Sequence, residues 1–143
     1  MSLDITESLR SNFQSKFPGN NFNYTYAFGN SVVRVEPNEV VPLLRHLKDS
    51  GQFDFLMNIS GVDYPDRKKR FEVNYELFSS RNAQRLRIKT QIAEGETIPT
   101  ATSVWRGANW FEREIYDMFG VKFEGHLNMR RLLVHQQFEG FPL

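Results

Sequence analysis

Residues 3–17 carry Leu3, Leu9, Phe13 and Phe17 at intervals compatible with one helical stripe, and Pro18-Gly19 stops it. From Phe22 to Phe28 aromatic and polar residues alternate (Phe22, Tyr24, Tyr26, Phe28), which is the period of a strand. Gly29-Asn30 then predicts a turn, and Ser31 to Glu36, with Val32, Val33 and Val35, a β-branched partner strand closing a hairpin. Pro37 opens a second helix with Val40, Val41, Leu43, Leu44 and Leu47 on its apolar face. Pro42 falls in its early turns, where proline is best tolerated, Lys48 in its last turn, and Gly51 just past its end. Phe53 to Val62 is almost continuously apolar and predicts a central strand; Asp63 to Arg70 is a polar loop.

The next pair is the clearest. Phe71, Val73, Tyr75 and Leu77 share one face of a strand, and Glu72, Asn74 and Glu76 the other. After Ser79-Ser80-Arg81-Asn82, Leu86, Ile88 and Ile92 alternate with Arg85, Arg87 and Lys89. Antiparallel pairing would set the acids of one strand beside the bases of the next on the outer face, leaving one face buried. From Thr100 the pattern becomes helical. Asn109 with Glu112 three residues on has the form of a capping box for a helix Trp110 to Phe119, ended by Gly120. Val121 to Leu143 has little periodicity and predicts an extended tail. The order predicts one α+β domain over residues 1–143. It would have two layers, with a mostly antiparallel or mixed sheet of about five strands under packed helices, and an extended C-terminal tail.

Length agrees with one domain, because 143 residues can bury a real core. Hydrophobic residues at 40% and charged residues at 24% exclude disorder as the main state. The absence of cysteine removes disulfides, zinc–thiolate sites, thiolate-held iron–sulfur clusters and a cysteine nucleophile. A net charge of +1 supplies no global attraction to nucleic acid or anionic membrane. No apolar run approaches the ~18 residues that span a bilayer. Met1 to Leu9, with Asp4 and Glu7, is expected to be neither signal nor transit peptide.

Candidate chemistry concentrates in residues 109–120. Glu112 and Glu114 point to different sides of a helix, whereas Glu114 and Asp117 share a face, as do Arg113 and Asp117. Glu114 and Asp117 could serve a small hydrolase as an acid–base pair; a helix ion pair on a charged face accounts for the same residues without catalysis. Phe111, Ile115, Met118 and Phe119 read as core. The histidines His46, His126 and His135 lack the close spacing of metal ligands, and His126 is expected to bond backbone or pair with a carboxylate. Arg67-Lys68-Lys69-Arg70, with Arg85, Arg87 and Lys89, could form a nucleic-acid stripe, but Glu72 and Glu76 interrupt it and a solvated loop explains the run. No glycine-rich phosphate loop and no nucleophile elbow occur.

One stretch is more specific. Glu112-Arg113-Glu114, Asp117-Met118-Phe119-Gly120, Gly125-His126 and Arg130-Arg131-Leu132 resemble the signature of the 30-kilodalton, C-type subunit family of proton-pumping NADH–quinone oxidoreductase, respiratory complex I. Ile59-Ser60-Gly61-Val62-Asp63-Tyr64-Pro65, Tyr75-Glu76-Leu77 and Gly107-Ala108-Asn109-Trp110 extend the likeness, which covers the chain from about residue 30. Leu127-Asn128 departs from the proline and acid that the family places after the histidine. Phe141-Pro142-Leu143 ends before the basic segment that usually follows, so a docking tail is expected to be trimmed or absent. Related subunits occur in membrane-bound hydrogenases and other dehydrogenase complexes.

The resemblance implies a non-catalytic peripheral-arm subunit that binds no cofactor of its own. Its partners would be other peripheral-arm subunits, above all the large quinone-site subunit, with no nucleic acid and membrane contact only through the complex. NADH, FMN, iron–sulfur clusters and quinone would belong to the assembly, which couples electron transfer to proton translocation. The location implied is peripheral, on the cytoplasmic side of a bacterial inner membrane. Catalytic and metal residues would be none, and Glu112, Arg113, Glu114, Asp117, Gly120, His126, Arg130 and Arg131 would be signature and interface residues.

Overall fold

A computed structural model describes residues 4–126. Arg130 and Arg131 of the signature, and most of the expected tail, lie outside the described residues. The first helix, α1 (Thr6–Lys16), begins where the Asp4 carboxylate accepts the Thr6 backbone N–H at 3.0 Å. It buries Leu9 and Phe13 against the first hairpin. That hairpin pairs β1 (Asn23–Ala27) with β2 (Asn30–Arg34). Its turn is Phe28-Gly29, one residue earlier than Gly29-Asn30, with both residues at positive φ (52° and 77°). Positive φ at both central residues matches the twist of a two-residue hairpin, and Phe28, fully exposed, accepts the strain.

A 3₁₀ turn at Pro37–Glu39 leads into α2 (Val40–Asp49). Glu36 and Glu39 cap that turn reciprocally. Val40, Leu43, Leu44 and Leu47 are wholly buried, as the helical stripe requires. At about 1.5–3 kcal/mol for each buried side chain, this face is a main anchor of the helix layer. His46 of α2 meets the Asn12 side chain of α1 at 2.8 Å, joining the two helices.

The remaining long strands are β3 (Phe55–Asp63), β4 (Phe71–Ser79) and β5 (Gln84–Ile92). The sheet order is β1-β2-β5-β4-β3, with β2 parallel to β5 and every other pair antiparallel. The expected mixed five-stranded sheet is therefore present. The expected register of β4 against β5 also holds: Tyr75 faces Ile88, Leu77 faces Leu86 and Glu76 faces Arg87. Two expectations are corrected. β3 is an edge strand, because α2 carries the chain across the sheet to its far side; its apolar run covers the core with Leu56 and Ile59 and leaves Phe55 and Met57 exposed. The polar face of β4 is also buried at Glu72 and Asn74, because long charged neighbours cover it.

After β5 the chain forms β6 (Thr97–Pro99), a run of turns, α3 (Ala108–Phe119) and β7 (Lys122–Glu124). β6 and β7 pair in parallel as a second, two-stranded sheet, which the reading of Thr100 onward as helix and Val121 onward as tail did not contain. α3 lies on β3. At Gly61 a side chain would have its Cβ 2.9 Å from Phe119, so glycine there sets how closely helix and strand approach. Among the described residues no helix is long and apolar enough to cross a membrane.

Candidate functional site

α3 carries Glu112, Arg113, Glu114 and Asp117 of the signature, and its surroundings explain which residues are turned inward. The turns before it are closed by backbone bonds from Val104 and Trp105 N–H to the Ala101 carbonyl, both 3.0 Å. Those turns present the Ala101 N–H and the Thr100 hydroxyl toward the helix. Glu112 meets both: its Oε2 accepts from Ala101 N–H at 2.7 Å, and its Oε1 lies 2.5 Å from Thr100 Oγ1. The expected capping box is thereby overturned. Gly107 occupies the N-cap position, Asn109 lies inside the helix, and the Glu112 carboxylate serves the turn eleven residues back. A longer-range donor pair in the core outcompeted the local one.

β7 brings a third partner. The Thr100 N–H donates to the Glu124 carbonyl at 2.8 Å, and the left-handed Gly125 turns the chain back over Thr100. This carries His126 over the helix, where its Nε2 is 3.3 Å from the Asn109 carbonyl and 4.0 Å from Glu112 Oε1. The histidine thus bonds backbone and stands beside a carboxylate, as its isolation in the sequence suggests. Glu112 is fully buried. Burial raises its carboxyl to about 7, with the Ala101 N–H and Thr100 hydroxyl pulling the other way. Tyr75 of β4 is also wholly buried; burial and the nearby Glu112 push its phenol above its ordinary value.

Asp117 is fully buried, while Arg113 and Glu114 are half-buried. With Asp117 sealed from solvent, Glu114 and Asp117 do not form an acid–base pair open to a substrate. Gly120 ends α3 at φ 78°, with its N–H donating to the Tyr116 carbonyl at 2.9 Å. The apolar stripe is less buried than its pattern suggests: Ile115 is core, Phe111, Met118 and Phe119 are half-buried, and the neighbouring Trp110 is 54% exposed. Sequence reasoning missed Thr100 and Ala101, because neither type is chemically distinctive and only the fold brings them to Glu112.

Several cations of the basic run and of β5 are paired with acids. Arg70 makes a two-pronged pair with Asp63, at 2.7 Å and 2.9 Å, and reaches Glu94 at 3.1 Å. That bonding to Arg70 holds the Asp63 carboxyl below its ordinary range. Arg87 pairs with Glu76, Lys89 with Glu72, and Lys69 with Glu36. Glu36, Glu72 and Glu76 thus interrupt the cations of this face, as the sequence pattern suggests. Among the described residues no three Asp, Glu or His side chains converge as metal ligands.

Residues 33–143 match the family described as the respiratory-chain NADH dehydrogenase, 30 Kd subunit. The C/D-type subunit of NADH-quinone oxidoreductase from Bdellovibrio bacteriovorus is 53% identical over 99% of this chain and 25% of its own length. The C-type subunit from Agrobacterium fabrum is 48% identical over 82% of this chain and 60% of its own length, and that from Hyphomonas neptunium 37% identical over 100% and 72%. The chain thus spans a quarter to somewhat under three quarters of these relatives. Among solved structures, a chain of the membrane-bound sulfane sulfur reductase, an archaeal respiratory membrane complex, superposes with a TM-score of 0.75. It has 25% identity, over 90% of this chain and 75% of that one. The sequence signature, the mixed sheet and these likenesses agree that the chain belongs to the family of the respiratory-chain NADH dehydrogenase 30 Kd subunit.

Proposed function

We propose that residues 1–143 form a single domain acting as a non-catalytic peripheral-arm subunit of an NADH–quinone oxidoreductase. In this reading it packs against the large quinone-site subunit, on the cytoplasmic side of a bacterial inner membrane. NADH, FMN, iron–sulfur clusters and quinone are handled by the rest of the assembly. The observation that carries this is the division of labour on α3. Glu112 is spent inside the fold on Ala101, Thr100 and His126, while Trp110 on the same helix remains 54% exposed beside the half-buried Arg113 and Glu114. An aromatic residue rimmed by charge is the composition of an interface centre rather than of a reaction site. Glu112 and His126 would brace the signature from within; Arg113, Glu114, Asp117, Arg130 and Arg131 would serve contacts between segments or between subunits. The Bdellovibrio relative supports adjacency, since its C/D-type name joins a C-type unit and another subunit in one chain.

The test is to tag the chain in its native host, extract membranes with mild detergent and purify. The expected result is recovery with sister subunits and NADH–quinone reductase activity. Recovery of a lone chain carrying its own hydrolytic turnover would refute the proposal.

A further inference from the structure

The face of the five-stranded sheet turned away from the helices holds charge that its ion pairs leave unbalanced. Glu72 is only 3% exposed, and three cations reach it: Lys89 Nζ at 3.2 Å, Arg34 Nη1 at 3.6 Å and Arg67 Nη1 at 3.7 Å. Lys89 alone neutralises one carboxylate. The two arginines stand beyond hydrogen-bond length from it and gather on Gln91 instead. Of the two orientations of that amide, the one with oxygen toward the guanidinium groups accepts from both Nη1 atoms at 3.1 Å. The other would give Glu72 one N–H donor at 3.3 Å and press that N–H against two cations. Arg67 is further fixed over the Tyr64 ring, 3.7 Å from its centroid. Two guanidinium groups are therefore held close together against their mutual repulsion, which burying a single carboxylate does not require.

In front of Arg34 and Gln91 lies a cavity of about 330 Å³, walled also by Asn21, Asn23, Glu36 and Lys69. Lys69 and Glu36 pair loosely at 3.7 Å, and both are about half exposed or more, so Lys69 can turn inward at little cost. Arg34, Arg67, Lys69 and Lys89 bring four positive charges; Glu36 and Glu72 bring two negative ones. The excess of two matches the charge of about −1.5 to −2 that a phosphate monoester carries near neutral pH. Guanidinium edges, an ammonium and carboxamide N–H groups are also the donor set that oxyanions use.

We propose that this cavity is a phosphate-binding site. It takes a phosphate or phosphoester group between Arg34 and Lys69, with the Asn21 and Asn23 amides at its rim and Arg67 and Lys89 behind. The site lies on the opposite face of the sheet from α3 and does not depend on the subunit reading.

The test uses the full chain and inorganic phosphate, titrated at constant ionic strength against chloride and followed by amide NMR. Saturable shifts are expected around Asn21, Asn23, Arg34, Lys69 and Gln91. Arg34→Gln and Lys69→Gln should each weaken binding about ten-fold or more, as loss of a charge-assisted contact does. Lys16→Gln, on α1, should leave it unchanged, and dispersed spectra will show that each variant is folded. A second arm asks where the phosphate comes from, using phosphatidylcholine vesicles with and without phosphatidic acid. Pelleting with the acidic vesicles that free phosphate competes away, and that Arg34→Gln abolishes, assigns the group to a lipid headgroup. Phosphate binding without pelleting assigns it to a soluble phosphoester. Shifts that never saturate, or that persist unchanged in both variants, together with no specific pelleting, overturn the proposal.

Discussion

A carboxyl group with no exposed surface must give up its charge or be held by donors, and Glu112 has the means for both. As a carboxylate it accepts from Ala101 and Thr100; as an acid it can donate from Oε1 to the Thr100 oxygen without moving. Its pKa stands at about 7 in the folded chain against 4.5 ordinarily. A carboxyl raised on folding binds its proton more tightly in the native state. Its contribution to stability is therefore full below pH 4.5 and is lost as pH rises toward 7. The loss amounts to about 3 kcal/mol at most, by the conversion of pKa shift to free energy. Glu112→Gln keeps the shape and both hydrogen bonds without the charge. Urea unfolding at pH 5 and pH 8 should show that the variant loses less stability across this range than the parent chain; equal losses would mean that Glu112 is not the titrating group. The sequence reading expects His126 to bond backbone or pair with a carboxylate, and the histidine stands 3.3 Å from the Asn109 carbonyl and 4.0 Å from Glu112. That reading mistakes the cap, because Asn109-x-x-Glu112 satisfies a local rule that Ala101 and Thr100 outbid from eleven and twelve residues away.

At the scale of elements, periodicity was legible wherever a stripe or an alternation is long enough to be buried on one side. The four buried residues of α2, and the facing rows of β4 and β5, are of this kind. Leu44→Ala in α2 should cost about 2–5 kcal/mol, measured by chemical denaturation, since a wholly buried leucine leaves a cavity that the layer cannot close. The packing of α3 on β3 rests on a smaller detail. Gly61→Val should destabilise by about 1–3 kcal/mol, because the new side chain must displace the Phe119 ring. In a double-mutant cycle Phe119→Ala should recover part of that loss; strict additivity would show that the two positions do not set the approach. β3 as a central strand was misjudged for a reason of the same scale: continuous hydrophobicity records that both faces are apolar, not that both are covered. β6 and β7, with three residues each, are too short to show any period, and their parallel pairing depends on where α3 returns the chain.

The whole molecule separates what keeps the fold from what the fold presents. The helices cover one face of the sheet, the signature acid lies beneath α3, and the exposed aromatic of α3 sits where a neighbour can reach it. Folding gains little from Trp110, which is 54% exposed, whereas Ile115 is nearly sealed. The two residues should therefore fail differently. Ile115→Ala should lower the stability of the isolated chain by the amount expected of a core truncation, about 2–5 kcal/mol. Trp110→Ala should change it by no more than about 0.5 kcal/mol, as surface substitutions do. If the subunit reading holds, Trp110→Ala should nevertheless be recovered poorly with the assembled oxidoreductase, because a buried aromatic at an interface centre typically contributes about 2 kcal/mol or more. The measurement pairs urea unfolding of the free chain with the yield of tagged complex from detergent-extracted membranes. A Trp110→Ala chain that is stable and assembles at the parent's yield would remove α3 from the interface and leave its signature as a brace within the domain.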